Sequence, residues 1–123
     1  MPSLFHLAPI KAIERAARAG QYTPESLSTR GFIHCSYAHQ VQQIADTLFH
    51  DSADLALLEI DPARVDARII DGASPGRTEA YPHIYGPLPM SAVLSVRELT
   101  RGQDGKWKMP CNVTGVCTCK ARE

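Results

Sequence analysis

Five histidines are spread along a chain of 123 residues, and imidazole is the side chain best able to donate, accept or ligate near neutral pH. His6 and His34 fall in two apolar segments, Leu4 to Leu7 and Gly31 to Cys35, that follow one another across a helix. Strands connected in that way often share a sheet, which would bring both imidazoles to one cleft. The plainer alternative is that each is a buried histidine satisfied by backbone groups. His83 belongs to the segment PHIYGPL, Pro82 to Leu88, where two prolines and a glycine restrict the backbone and pre-order His83 and Tyr85. Such stiffening suits the wall of a ligand site, and it suits equally a rigid loop that covers a sheet edge. Glu79, just upstream, is the only carboxylate between Asp71 and Glu98, so it is either the acidic group of this wall or an exposed loop charge.

Other reactive groups are less well placed. Cys35 beside His34 has the residue types of a nucleophile and its base, but neighbours on a strand point to opposite faces. His34, His39 and His83 with Cys35 supply metal-ligand types, yet His34 and His39 straddle a strand-to-helix transition and neither HExxH nor CxxC occurs. No metal is expected. Cys111, Cys117 and Cys119 crowd the last residues, either as a soft-metal set or simply as a terminal tail. Ser36 is placed to cap the helix that follows, and a helix start leaves free amides suited to phosphate.

The elements that must position these groups follow from periodicity. Ile10, Ile13 and Ala17 recur on one helical face, with Pro9 ahead, Glu14 and Arg18 spaced to pair, and Gly20 as a stop. Gln21 to Arg30 reads as a loop. Ala38, Val41, Ile44, Ala45, Leu48 and Phe49 form a broad helical stripe. Leu55 to Ile60 is a near-continuous apolar run, the pattern of a strand covered on both faces. Val65, Ala67 and Ile69 alternate as a strand does, Ser91 to Leu99 gives another, and Asp104-Gly105 turns into a short closing strand at Trp107. Asp71 to Pro89 is left as a long, apolar binding loop. The order implies an α+β fold, two helices packed on a split, mostly antiparallel sheet.

Composition sets the outer bounds. One domain over residues 4–110 with a tail at 111–123 fits the length. Thirteen basic and thirteen acidic residues cancel, which removes the electrostatic footprint of a generalist nucleic-acid or membrane-surface binder. With no signal-like start, no apolar run of spanning length and no disulfide-like cysteine spacing, a cytoplasmic protein is expected. The Asn112 sequon then has little weight.

The motifs LFHLA, GFIHCSYAHQV, LLEID and PHIYGPLPMSAV, in this order over about residues 4 to 110, resemble the bacterial domain of unknown function 952 family. That family in turn looks like a compact relative of the ADP-ribosyltransferase fold. The resemblance implies a cleft for NAD or an NAD-derived nucleotide, with His6 in the place of the first-strand histidine and His34 in that of the phosphotransferase-branch histidine. Glu79 would be the carboxylate that stabilises an oxocarbenium-like ribose, and Arg77 and Arg97 would be the candidates for the arginine of the phosphotransferase branch. Tyr81 or Tyr85 would stack on a ring, His83 would complete the wall, and the amides beyond Ser36 would receive pyrophosphate. Leu7-Ala8 stand where the classical motif has Gly-Thr. The resemblance therefore implies either ADP-ribosyl transfer or a phosphotransferase-like activity, or else a catalytically silent module that binds a nucleotide or small anion.

Overall fold

The computed structural model describes residues 3–73 and 79–109. Its elements are β1 (Leu4–Ala8), α1 (Ile10–Ala19), β2 (Gln21–Tyr22), α2 (Glu25–Thr29), β3 (Ile33–His34), α3 (Ala38–Leu48), β4 (Ala56–Ile60), β5 (Ile69–Ala73), β6 (Ala80–Ile84), β7 (Leu88–Pro89) and β8 (Val93–Glu98). The strands form antiparallel sheets, β1-β4-β8 and β3-β6-β5, with the small pair β2-β7 beside them. This is the expected α+β class with a split sheet.

The side-chain period of two explains how β4 organises the interior. Ala56, Leu58 and Ile60 face a core shared with Leu4, Ala8, Ile13 and Ala16 of α1, and Ile33 and Ile84 of the second sheet. Leu55 and Leu57 face the opposite way, where Phe5 and Leu7 meet Val41 and Ala45 of α3 and Trp107. β4 is thus covered on both faces, as its near-continuous apolar run requires. Trp107 closes the second core by donating its indole N–H to the Phe49 carbonyl at 2.9 Å. The Arg101 guanidinium lies 4.0 Å above the same ring.

Helix ends follow local chemistry. Gly20 ends α1 at φ +87°, a conformation that costs a side chain with Cβ but not glycine, and its N–H bonds the Ala16 carbonyl. Asp54, from the loop before β4, accepts from the Ile10 amide at the start of α1 at 3.0 Å.

Several expectations need correction. Gln21 to Arg30 is not a loop, because Tyr22 pairs with Leu88 and Glu25–Thr29 forms a short third helix behind Pro24. Val65 and Ala67 precede β5 rather than form a strand, since Asp61 caps a single 3-10 turn at Pro62–Arg64. Asp71 to Pro89 is largely sheet, its apolar residues pairing as β5, β6 and β7; residues 74–78, Arg77 among them, lie outside the described part. Tyr37, not Ser36, is the residue capping α3, and its amide donates to Gln40 Oε1 at 2.9 Å. Near Trp107 there is one bridge to Arg101 instead of a strand. His6 and His34 lie in different sheets, which touch through the bridge Phe5 to Ser36. The cysteine tail lies outside the described residues.

Candidate functional site

β1 is an edge strand of its sheet. Its Phe5 amide donates to the Ser36 carbonyl at 2.8 Å and its Phe5 carbonyl accepts from the Ser36 amide at 2.7 Å. Along this edge runs a groove of about 530 Å3, a volume ordinary for small-molecule sites. It takes its lining from both faces of β1, from α2 and β3, from the second half of α3, and from Tyr81 of β6. The polar members are Ser26, Arg30, His34, Ser36 and His6, and none of the lining residues is Asp or Glu. Ile44, Leu48 and Phe49 supply an apolar wall.

The two strand histidines differ sharply. His6 is half-buried, with Nδ1 2.6 Å from the His34 carbonyl and Nε2 2.8 Å from the Tyr22 hydroxyl. A carbonyl only accepts, so Nδ1 carries the proton and Nε2 accepts from Tyr22. Burial holds this imidazole neutral, pushing its pKa down to about 4 against the partial opposition of the His34 carbonyl. Burial also pushes Tyr22 up to about 12, which keeps its donor proton in place. Both ring nitrogens of His6 are therefore occupied.

His34, by contrast, is exposed and pairs across the sheet with His83. Partial burial, then His83 and Arg30, lower its pKa. His83 is 3% exposed; Phe32 stacks on it at 4.1 Å and 12°, and its Nε2 has no hydrogen-bond partner. Burial lowers the His83 pKa, with Asp71 opposing. Tyr85, 42% exposed, leans on Phe32 at 5.3 Å. His83 and Tyr85 thus belong to a ring cluster behind His34 and are absent from the groove lining.

Glu79 is also away from the groove. Its carboxylate accepts from the amide of Gln40 at 3.1 Å and meets His39 Nε2 at 2.8 Å, and these hydrogen bonds, that of His39 first, lower its pKa. Beside it, the Tyr37 hydroxyl donates to Asp71 at 2.6 Å, which pushes Tyr37 up to about 12. Cys35 lines the groove as a buried thiol pushed up to about 12 by desolvation, the opposite of nucleophile activation. Arg97 and Glu98 are exposed on β8. Among the described residues no group of three or more His, Cys, Asp or Glu side chains could hold a metal ion.

Of the residues expected from sequence, the groove collects His6, His34, Ser36 and Tyr81 and leaves out Glu79, His83 and Tyr85. Sequence reasoning missed Ser26, Arg30 and the α3 wall. The available signal was Arg30 itself, a cation directly ahead of the GFIHCS segment.

Residues 7–96 match the family model described as Protein of unknown function (DUF952). The chain belongs to that family. The crystal structure of protein CC0527 from Caulobacter crescentus superposes on this DUF952 domain with a TM-score of 0.76 at 26% identity, covering 86% of this chain and 93% of that one. The solution structure of CC0527 gives the same TM-score and identity over 94% of this chain and 100% of that one. No curated protein matches the chain. Among the described residues of this DUF952 domain no helix is long and apolar enough to cross a membrane.

Proposed function

We propose that this domain is a binding module for a small organic anion, held in the groove beside β1, and that nucleotides of the NAD kind are the class to which the motif resemblance directs the first test. One observation carries the reading: Arg30, His34, Ser26 and Ser36 line the groove with no carboxylate among them. The Arg30 side chain has no hydrogen-bonded or acidic partner among the described residues. A guanidinium left unpaired in a concave site is matched by a phosphate or carboxylate, to which its fork donates two parallel hydrogen bonds. His34 and the serine hydroxyls add donors or acceptors at the same place.

Binding is favoured over ADP-ribosyl transfer on chemical grounds. Stabilising an oxocarbenium-like ribose requires a negative group at the reacting carbon, and the groove lining offers none. His6, with both nitrogens engaged, is a positioning residue for the His34 backbone rather than an acid or base. The transfer reading keeps one support, that Glu79 is held in its charged form by His39 and Gln40.

Thermal shift with NAD, ADP-ribose and 2′-phosphorylated nucleotides, run beside a nicotinamide-release assay, tests this. Wild type should be stabilised by at least one of them, Arg30→Gln should need about tenfold or more ligand for the same shift, and nicotinamide should not appear. Absence of stabilisation by all of them overturns the nucleotide reading. Nicotinamide release that Glu79→Gln abolishes would establish the transferase instead.

A further inference from the structure

The groove is chemically two-sided. Its donors come from α2 and its C-cap, from β3 and from the segment just after it: Ser26, Arg30, His34 and Ser36. Its apolar wall comes from α3, where Ile44 and Leu48 lie roughly 9 to 15 Å along the axis from Ala38 at 1.5 Å per residue. Leu48 is 64% exposed, an unusual position for a large apolar side chain that also lines a cavity. Of the polar side chains of α3 that could read the edge of a nucleobase, Gln40 and Gln42 are engaged elsewhere, while Gln43 and Thr47 are exposed and absent from the groove lining. Gln40 donates to Glu79 and the Ala80 carbonyl, and Gln42 donates to Asp46 and the Trp107 carbonyl. A base laid on this wall would leave its donors and acceptors unpaired, at a cost that hydrocarbon does not incur.

We infer that the ligand of this groove is an amphipathic anion, a phosphate or carboxylate head on Arg30 and His34 joined to a hydrocarbon body that lies along Ile44, Leu48 and Phe49. This deepens the anion-binding reading and rests on it. The head is fixed by charge-assisted hydrogen bonds, and the body gains by leaving water, so affinity depends on both ends separately. The shared chemistry is that of free alkyl or acyl anions and of anionic lipid headgroups. A groove of about 530 Å3 takes a single free molecule, so the soluble source is the one assigned.

Titration calorimetry with inorganic phosphate and with ethyl, butyl, hexyl and octyl phosphate below micelle formation tests the inference, with ADP-ribose and phosphatidic-acid vesicles in parallel. Kd should fall on the order of two- to fourfold per added methylene until the wall is covered. Leu48→Gln should weaken octyl phosphate about tenfold more than ethyl phosphate, and Arg30→Gln should weaken every member about tenfold or more. A flat chain-length series with Arg30-dependent binding of phosphate or ADP-ribose overturns the hydrocarbon body and leaves anion binding intact. Failure of every soluble anion, ADP-ribose included, removes both readings. Binding to vesicles without binding of any soluble alkyl phosphate, or chain-length dependence that Arg30→Gln does not alter, also overturns this inference.

Discussion

At the scale of single residues the His6–Tyr22 pair shows how a histidine can sit in a cleft and still be structural. Among the described residues the Tyr22 hydroxyl supplies the only donor for His6 Nε2, so Tyr22→Phe leaves a half-buried acceptor unpaired and should cost about 1 kcal/mol in urea unfolding. In wild type, the ring nitrogen shifts of His6 should report the Nδ1–H tautomer and no protonation until about pH 4. A His6 that titrates near 6.5 would show the pair to be open. This distinction was not legible in the sequence. Residue type and strand position brought His6 and His34 forward together, and only the through-space contacts to Tyr22 and the His34 carbonyl separate the occupied imidazole from the exposed one. Arg30 escaped notice for the opposite reason, since what marks it is that its side chain lacks a partner among the described residues.

At the scale of elements, the β3-β6-β5 sheet is held by a stack that begins at Gly72. A Cβ added there would lie 2.8 Å from the His83 ring, which Phe32 covers from above at 4.1 Å. The ring has no free direction in which to yield. Gly72→Ala should therefore lower the urea midpoint by the equivalent of about 1 to 3 kcal/mol with little change in slope; an unchanged midpoint would mean that the stack gives way easily. Strong periodicity was readable in this fold: α1, α3 and β4 stand where their apolar spacing placed them. What misled was Asp71 to Pro89, whose strands carry prolines and a glycine that signal loop locally, although Pro82 sits in the central strand β6 opposite Asp71 of β5 and its carbonyl still accepts from the Cys35 amide. The two-residue β2 and β3 and five-residue α2 are too short for any period to show, yet α2 and β3 carry Ser26 and His34, and Arg30 ends α2.

For the molecule as a whole, the ionisable groups set a stability optimum near neutrality. His6 has a folded pKa of about 4 against 6.5 unfolded, so the unfolded chain binds the proton first. Its contribution, up to about 3 kcal/mol, is fully present above pH 6.5 and is lost as pH falls toward 4. His34, His83 and Glu79 are shifted in the same sense. Tyr22 and Tyr37, raised to about 12 from 10.0, act oppositely and remove stability as pH climbs from 10 to 12. Urea midpoints measured from pH 4 to 11 should trace this dome, whereas a flat profile between 6.5 and 4 would contradict the sealed His6. The central claim, that the groove beside β1 holds an organic anion, is tested most directly by amide chemical-shift mapping on the labelled protein titrated with ADP-ribose and with hexyl phosphate. The account predicts saturable shifts at Ser26, Arg30, His34 and Ser36 with both ligands, extending to Ile44 and Leu48 with hexyl phosphate. Shifts confined to His39 and Glu79, or none with either ligand at millimolar concentration, would contradict it.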